Sequence, residues 1–119
     1  MGKVNLAEKF ALIDEHWSPK VVGELNGQQV KLAKFQGQFI WHHHDVEDEL
    51  FLVVKGELQI ELRDQTIILQ EGEFYIVPAG VEHRPAAERE AEVLMFEPEK
   101  TVNTGQVKNE RTVTVPEHI

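Results

Sequence analysis

The feature that most constrains the fold of this chain is a regular succession of short segments with β-strand character between residues 20 and 96. Leu58, Ile60 and Leu62 alternate with polar residues, which is typical of a strand with one buried face. The run 50–54 is wholly apolar and too short for a helix, so we expect a strand buried on both faces. Turn signals such as Asn26-Gly27 separate the segments. The pattern predicts an all-β antiparallel barrel or sandwich.

Further strands are expected where short apolar or alternating runs lie between turn residues. These predicted strands cover residues 28–35, 39–44, 66–69, 74–77 and 91–96.

The two ends of the chain have a different character. Asn5 and Glu8 have the spacing of an N-cap and a capping-box residue, which predicts a short helix over 6–13. After Pro98 the sequence becomes polar, with one last extended piece expected at 112–115. We therefore expect a helical segment at 1–19, a barrel at 20–98 and a polar tail at 99–119 that packs on the barrel or on a partner subunit.

Length and charge limit the class of protein. The 119 residues suit one domain with a real core, and 21 acidic against 12 basic residues give a formal charge of −9. Such a negative surface repels phosphate, so we expect neither nucleic acid nor an anionic membrane as a partner. The absence of cysteine excludes disulfides and thiolate ligands. No apolar segment has the character of a signal peptide or a membrane span, and we expect a cytoplasmic location.

Four polar residues point to chemistry inside the predicted barrel. Because side chains alternate along a strand, His42 and His44 face one way and His43 faces the other. Glu49 shares its face with the apolar residues that follow it, and His83 lies at a strand end. Three imidazoles and a carboxylate suit a divalent metal such as Zn, Ni, Mn, Fe or Cu. A solvated histidine tract is the alternative, and we expect the remaining histidines, His16 and His118, to be structural or exposed.

The spacing of these residues resembles the two motifs of the cupin family. The first motif is Gly37-x4-His42-x-His44-x4-Glu49-x6-Gly56, one residue short between the glycine and the first histidine. The second is Gly72-x5-Pro78-x-Gly80-x2-His83, with Ala87 in place of the usual final asparagine. The chain is similar to small single-domain cupins often labelled as resembling mannose-6-phosphate isomerase.

This resemblance implies a cupin-type jelly-roll barrel, often dimeric, that holds a metal through three histidines and one glutamate. Carried over by position, the metal ligands are His42, His44, Glu49 and His83. A small-molecule ligand is then expected in the barrel. The expected activity is that of a metal-dependent isomerase acting on a carbohydrate-like or keto substrate. The alternatives are a dioxygenase-type oxidoreductase using Fe or Cu and a non-catalytic binding or sensor module.

One cupin subgroup opens the ring of unsaturated uronates and has an aspartate where this chain has Leu94, which disfavours that reaction here. The expected wall of the cavity is apolar. It comprises Phe35, Ile40, Phe51, Val53, Leu58, Ile60, Phe74, Ile76, Leu94 and Phe96. Leu50, Leu52 and Val54 should point outward, as should Trp41. An apolar outer face needs a cover, so we expect the N-terminal helix or a second subunit there and predict a homodimer.

Overall fold

The computed structural model describes residues 2–119 as one short helix and seven strands. The elements are α1 (Leu6–Phe10), β1 (Lys20–Leu25), β2 (Gln28–Gln38), β3 (Glu49–Lys55), β4 (Leu58–Leu62), β5 (Thr66–Leu69), β6 (Phe74–Val77) and β7 (His83–Pro98). All strand pairs are antiparallel. The predicted all-β class with a short N-terminal helix is confirmed. Within the described residues, no helix has the length and apolar character needed to cross a bilayer.

The long strand β7 organises the sheet. The main path runs β1-β2-β7-β3-β6, and β4 joins β7 while pairing with β5 on its other side. The first part of β7 pairs with β4 and the second part with β3, whereas β2 follows β7 along both parts. A bulge between Phe35 and Gly37, where Gly37 has a φ of 83°, bends β2 along with it. The sheet therefore folds over one core as a jelly roll.

The inner face of the sheet carries the main hydrophobic core, which is closed at one end by Trp17 from the N-terminal segment. Its members are Trp17, Ala33, Phe35, Phe39, Phe51, Val53, Leu58, Ile60, Leu69, Val77, Ala87, Ala91, Val93 and Met95. Burial of this apolar surface is the main force that stabilises the fold.

Four residues expected in this wall point elsewhere. Phe74 and Ile76 are 59% and 48% exposed, and Leu94 and Phe96 are only partly buried. The inward face of β3 carries Phe51, which lies opposite Tyr75 and Met95. Directly paired residues share a face, so Tyr75 and Met95 also point inward. Their sequence neighbours, Phe74 and Ile76 on β6 and Leu94 and Phe96 on β7, therefore face outward.

The helix α1 ends at Phe10, three residues earlier than predicted. Asn5 caps it as expected, accepting a hydrogen bond from the Glu8 amide at 3.0 Å. Leu12 and Ile13 then continue in tight turns bonded to residues three positions earlier. A second, smaller cluster still forms on the outer face of the sheet, where Phe10 and Ile13 pack on Leu32.

Two predicted strands are absent from the described structure, at residues 39–44 and 112–115. The first of these segments makes a single β-bridge, between His42 and His83, because regular pairing of β2 with β7 ends at Gln38 and the chain then leaves the sheet. The alternation predicted for the histidines holds nevertheless: His42 and His44 are buried, while His43 is only partly buried.

Candidate metal centre

The fold brings together four polar side chains from three parts of the sequence. His42 and His44 come from the segment after β2, Glu49 is the first residue of β3, and His83 is the first residue of β7. Reciprocal backbone hydrogen bonds between His42 and His83 tie two of these parts together. None of the four residues is more than 4% exposed. The structure thus places all four residues predicted from the sequence inside the fold.

The ligand atoms of these residues converge on one point. One nitrogen or oxygen from each residue lies within 4.8 Å of those of the other three. Glu49 Oε1 is 3.3 Å from His44 Nε2 and 3.4 Å from His83 Nε2. Atoms bound to one transition metal at about 2.0–2.2 Å lie at comparable separations from each other. The four residues therefore form a group that can hold a metal ion.

Backbone carbonyls orient two of the imidazoles. His42 Nδ1 lies 2.9 Å from the Ile40 carbonyl oxygen, and His83 Nδ1 lies 2.9 Å from that of Val81. A carbonyl oxygen only accepts, so each Nδ1 carries the proton and each Nε2 presents its lone pair to the cluster. An outer hydrogen bond of this kind is the usual support of a metal-binding histidine.

Three of the four converging atoms have no hydrogen-bond partner. His44 Nε2, Glu49 Oε1 and His83 Nε2 are buried and unpaired. A buried polar atom without a partner costs on the order of 1–3 kcal/mol. The same three atoms would all be satisfied by one cation, so this donor set fits a divalent transition metal.

The electrostatics of the cluster favour the forms that bind metal. Burial, together with the proximity of His83, lowers the pKa of His42 to about 4. Burial alone would raise the pKa of Glu49, but the close approach of Glu97, His44 and His83 holds it well below its usual value. At neutral pH, His42 is therefore a neutral imidazole and Glu49 a carboxylate.

The remaining histidines lie outside the cluster. His43 contacts Asp45 on the surface, His16 contacts Glu90 and His118 contacts Glu24. The side chains of all three are at least one-third exposed, as the sequence analysis expected.

A small apolar cavity adjoins the cluster on the side of His42 and Glu49. Its free volume is about 20 Å³, which is room for one or two water-sized molecules. Apart from the two ligand residues, it is lined by Trp17, Pro19, Phe35, Phe39, Phe51, Pro85, Met95 and Asn103. Among the described residues, no ionisable side chain other than those of the cluster lines this cavity.

Trp17 closes this cavity and was missed by the sequence analysis. Its indole stacks on Phe35 and Phe39, with centroid separations of 4.3 Å and 4.8 Å. Its Nε1 donates to the Gln36 carbonyl oxygen at 2.9 Å, and its φ of 61° is unusual for a bulky residue. The only sequence signal for Trp17 was an aromatic residue placed shortly before the first strand.

The C-terminal segment packs against the backbone that carries the histidines. Gly105 lies so close to His43 that a Cβ atom built on the glycine would be 2.1 Å from the His43 carbonyl oxygen. Gln106 donates to Asp45 at 3.1 Å, and Thr104 is completely buried. The segment therefore forms part of the wall around the cluster.

Comparisons with known proteins place the chain in a family. The Cupin domain family matches residues 28–97. A cupin-2 domain containing protein from Shewanella frigidimarina NCIMB 400 is 49% identical; the match covers 80% of this chain and 93% of that chain, with a TM-score of 0.79. Protein NMB1881 from Neisseria meningitidis is 31% identical, covering 82% of this chain and 99% of that one, with a TM-score of 0.75.

One curated relative matches over a shorter stretch. The uncharacterized protein YdbB of Bacillus subtilis strain 168 is 42% identical over 64 residues, which cover 53% of this chain and 57% of that protein. The match thus spans little more than half the length of the relative. The family match over more than half of the chain, together with the similarity to the Shewanella structure, shows that the chain belongs to the cupin family.

Proposed function

We propose that the chain binds one divalent transition metal ion (Zn, Ni, Mn, Fe or Cu) through His42, His44, Glu49 and His83. The observation that carries this proposal is the convergence of buried ligand atoms that have no hydrogen-bond partner within the fold. The site contains nitrogen and oxygen donors and no sulfur, which suits these borderline metals.

The surroundings of the cluster favour a dioxygenase-type oxidoreductase using Fe or Cu. A bound ion of either kind supplies redox chemistry with dioxygen, and any of the candidate ions supplies Lewis acidity. Phe35, Phe39 and Phe51 give the cavity beside the ligands an apolar lining. A space for one or two small molecules with an apolar wall suits a small neutral gas better than a sugar.

The alternative is a metal-dependent isomerase acting on a carbohydrate-like or keto substrate, as in the cupins labelled similar to mannose-6-phosphate isomerase. Proton transfer needs an acid or base within hydrogen-bond reach of the substrate. In the described structure the cavity wall offers only Asn103 as a polar residue beyond the ligands. Leu94, at the position of the aspartate of the uronate subgroup, packs against the cluster formed by α1. On the side of this cavity the isomerase is therefore the weaker candidate, whereas a larger cleft beside His44, lined by Asp45, Glu47 and Lys100, offers ionisable groups.

The direct test is elemental analysis of untagged protein, comparing wild type with His44→Ala and His43→Ala. We expect near-stoichiometric metal in wild type and His43→Ala, and an affinity reduced by more than about 100-fold in His44→Ala, since a direct ligand contributes more than an outer contact. His43 is the matched control because it is adjacent in sequence but points to the surface. Metal retained in His44→Ala, or lost in His43→Ala, would contradict the proposed site.

The identity of the metal then separates the activities. Fe or Cu, together with oxygen uptake on a panel of small apolar and keto compounds, supports the oxidoreductase. Zn, Ni or Mn without oxygen uptake supports the isomerase, which is tested with sugar acids and keto compounds. Tight metal binding without turnover on either panel would leave a binding or sensor module.

We also propose that the chain forms a homodimer through the outer patch, defined as Leu50, Leu52, Phe74, Ile76 and Phe96. These residues share the outer face of β3, β6 and β7, where Leu50 lies opposite Ile76 and Phe96, and Leu52 lies opposite Phe74. Phe74 and Ile76 are exposed and the other three are partly buried, and clustered apolar surface of this kind marks an interaction site. Sedimentation equilibrium is expected to give twice the chain mass, 13.7 kDa; a monomer at all concentrations would refute the dimer.

A further inference from the structure

The barrel contains a second group of charged residues beside the metal cluster. Lys31 on β2 and Glu97 on β7 are 2% and 1% exposed, and Lys31 Nζ donates to Glu97 Oε1 at 2.8 Å. Neither residue belongs to the group of four that converges on one point. The proposed function makes no use of them.

Stability alone gives no reason for an ion pair at this position. Removing two charges from water costs several kcal/mol per ion, and well-packed apolar residues of similar volume are often equally or more stable. Most inward residues of these strands are apolar, including Ala33 on β2 and Val93 and Met95 on β7. The pair therefore calls for an explanation beyond packing.

The strand register places the pair next to Glu49. Leu50 lies opposite Phe96 in the β3–β7 ladder, so Glu49 and Glu97 occupy the next position along these two strands. Both side chains are buried on the inner face, so the two carboxyl groups are neighbours across the ladder. Like charges directly opposite each other destabilise a sheet. Lys31, on the other side of β7, supplies the compensating charge.

Lys31 makes a second hydrogen bond, to the C-terminal segment. Its Nζ also donates to the Thr101 carbonyl oxygen at 3.3 Å, and Thr101 is buried at the start of the C-terminal segment. A chain of contacts thus runs from this segment through Lys31 and Glu97 to Glu49, and Glu49 in turn faces two of the histidines.

We propose that Lys31 and Glu97 are positioning residues that fix the location of the Glu49 carboxylate and thereby set the affinity of the cluster for its cation. The inference rests on the proposed metal site. Outer contacts to metal ligands typically change metal affinity by 10–100-fold when they are removed. The pair acts only through Glu49, since it does not line the cavity.

The test compares Co²⁺ binding, followed by visible absorption and by competition with a chromophoric chelator, in wild type and in the double variant Lys31→Met/Glu97→Leu. Removing both partners leaves neither Lys31 nor Glu97 buried without the other, so the metal-free double variant should unfold at a urea midpoint similar to that of wild type. We expect Co²⁺ affinity about 10–100-fold lower and an altered Co²⁺ spectrum. The control is Lys20→Met/Glu15→Gln, which removes an ion pair outside the cluster and should leave both readouts unchanged.

A milder variant keeps the test decisive if the double variant does not fold. Glu97→Gln preserves volume and hydrogen bonding but removes the charge, and we expect affinity about tenfold lower with the fold intact. Affinity within twofold of wild type in the folded variants would refute the positioning role. A loss as complete as in His44→Ala would also refute it, since Glu97 would then be a ligand. If wild type itself binds no Co²⁺, the proposed metal function fails first and the inference falls with it.

Discussion

Each face of β3 departs from the simple pattern of apolar residues inside and polar residues outside. The inner face begins with Glu49, a buried carboxylate, before the apolar Phe51 and Val53. The outer face carries Leu50 and Leu52, which adjoin the exposed residues of the outer patch. A polar group inside and apolar groups outside both cost free energy in an isolated chain. Each exception is matched by one of the proposed partners: a cation for the inner face and a second subunit for the outer face.

The largest difference is expected in the free energy of unfolding when adjacent residues on the two faces of β3 are truncated. Phe51→Ala should lower the free energy of unfolding by about 3–5 kcal/mol, because the ring is 2% exposed and its loss leaves a cavity. Leu52→Ala, on the half-buried outer face, should cost about 1 kcal/mol or less at low protein concentration. Urea unfolding of both variants measures the difference, and equal losses would show that the outer face is as well packed as the core.

Acidification is expected to lower the stability of the fold through the buried His42. The lowered pKa of His42, about 4, means that the unfolded chain binds a proton near pH 6.5 while the native protein does not. The stabilising contribution of His42 is therefore fully present above pH 6.5 and is lost as pH falls towards 4. The loss is on the order of 3 kcal/mol in metal-free protein.

The measurement is the pH dependence of urea unfolding for wild type and His42→Gln. Burial and the charge of Glu49 raise the pKa of Glu97, which acts in the opposite direction. Glu97 is present in both proteins, so the difference between the two slopes isolates His42. Parallel slopes between pH 6.5 and 4 would contradict the prediction.

The smallest expected effect on stability is at the outer patch, where the effect on assembly is large. Phe74→Lys should change the unfolding free energy of the monomer by no more than about 0.5 kcal/mol, because the ring is 59% exposed. The same change places a charge in the proposed interface, so sedimentation should show dissociation. Ile68→Lys is the control, since Ile68 is 54% exposed on β5, outside the patch. Dissociation in both variants, or in neither, would place the interface elsewhere.

The sequence was most informative where the pattern is local. The alternation of His42 and His44, and the shared face of Glu49, Phe51 and Val53, follow from neighbouring residues, and the structure brings the four polar side chains together. The prediction that Leu94 and Phe96 of β7 face inward was wrong, because these residues are as apolar as Val93 and Met95, which do face inward. Period-two alternation gives no preference when both faces are apolar. Pairing with β3 decides between them, and this pairing is long-range.

Other features depend entirely on contacts between distant segments. Lys31 and Glu97 are 66 residues apart, and each is merely a charged residue in an alternating strand until the register brings them together. The expected strand at residues 39–44 failed for a similar reason. Its composition suits a strand, but in the described structure it makes one β-bridge, to His83, and isolated backbone hydrogen bonds to Pro85 and Gly80 in place of a continuous ladder. The arrangement of the predicted tail around the cluster has no local signal at all.

Gly105 is a position in this tail that should not tolerate substitution. It lies in a polar stretch outside any helix or strand, where sequence alone would suggest that most replacements are harmless. Yet its φ of 62° and the carbonyl oxygen of His43 beside it leave space for a hydrogen atom and nothing larger. In a saturation library selected for metal retention, position 105 should accept glycine alone. Lys108, a few residues further along and exposed, should accept almost any residue.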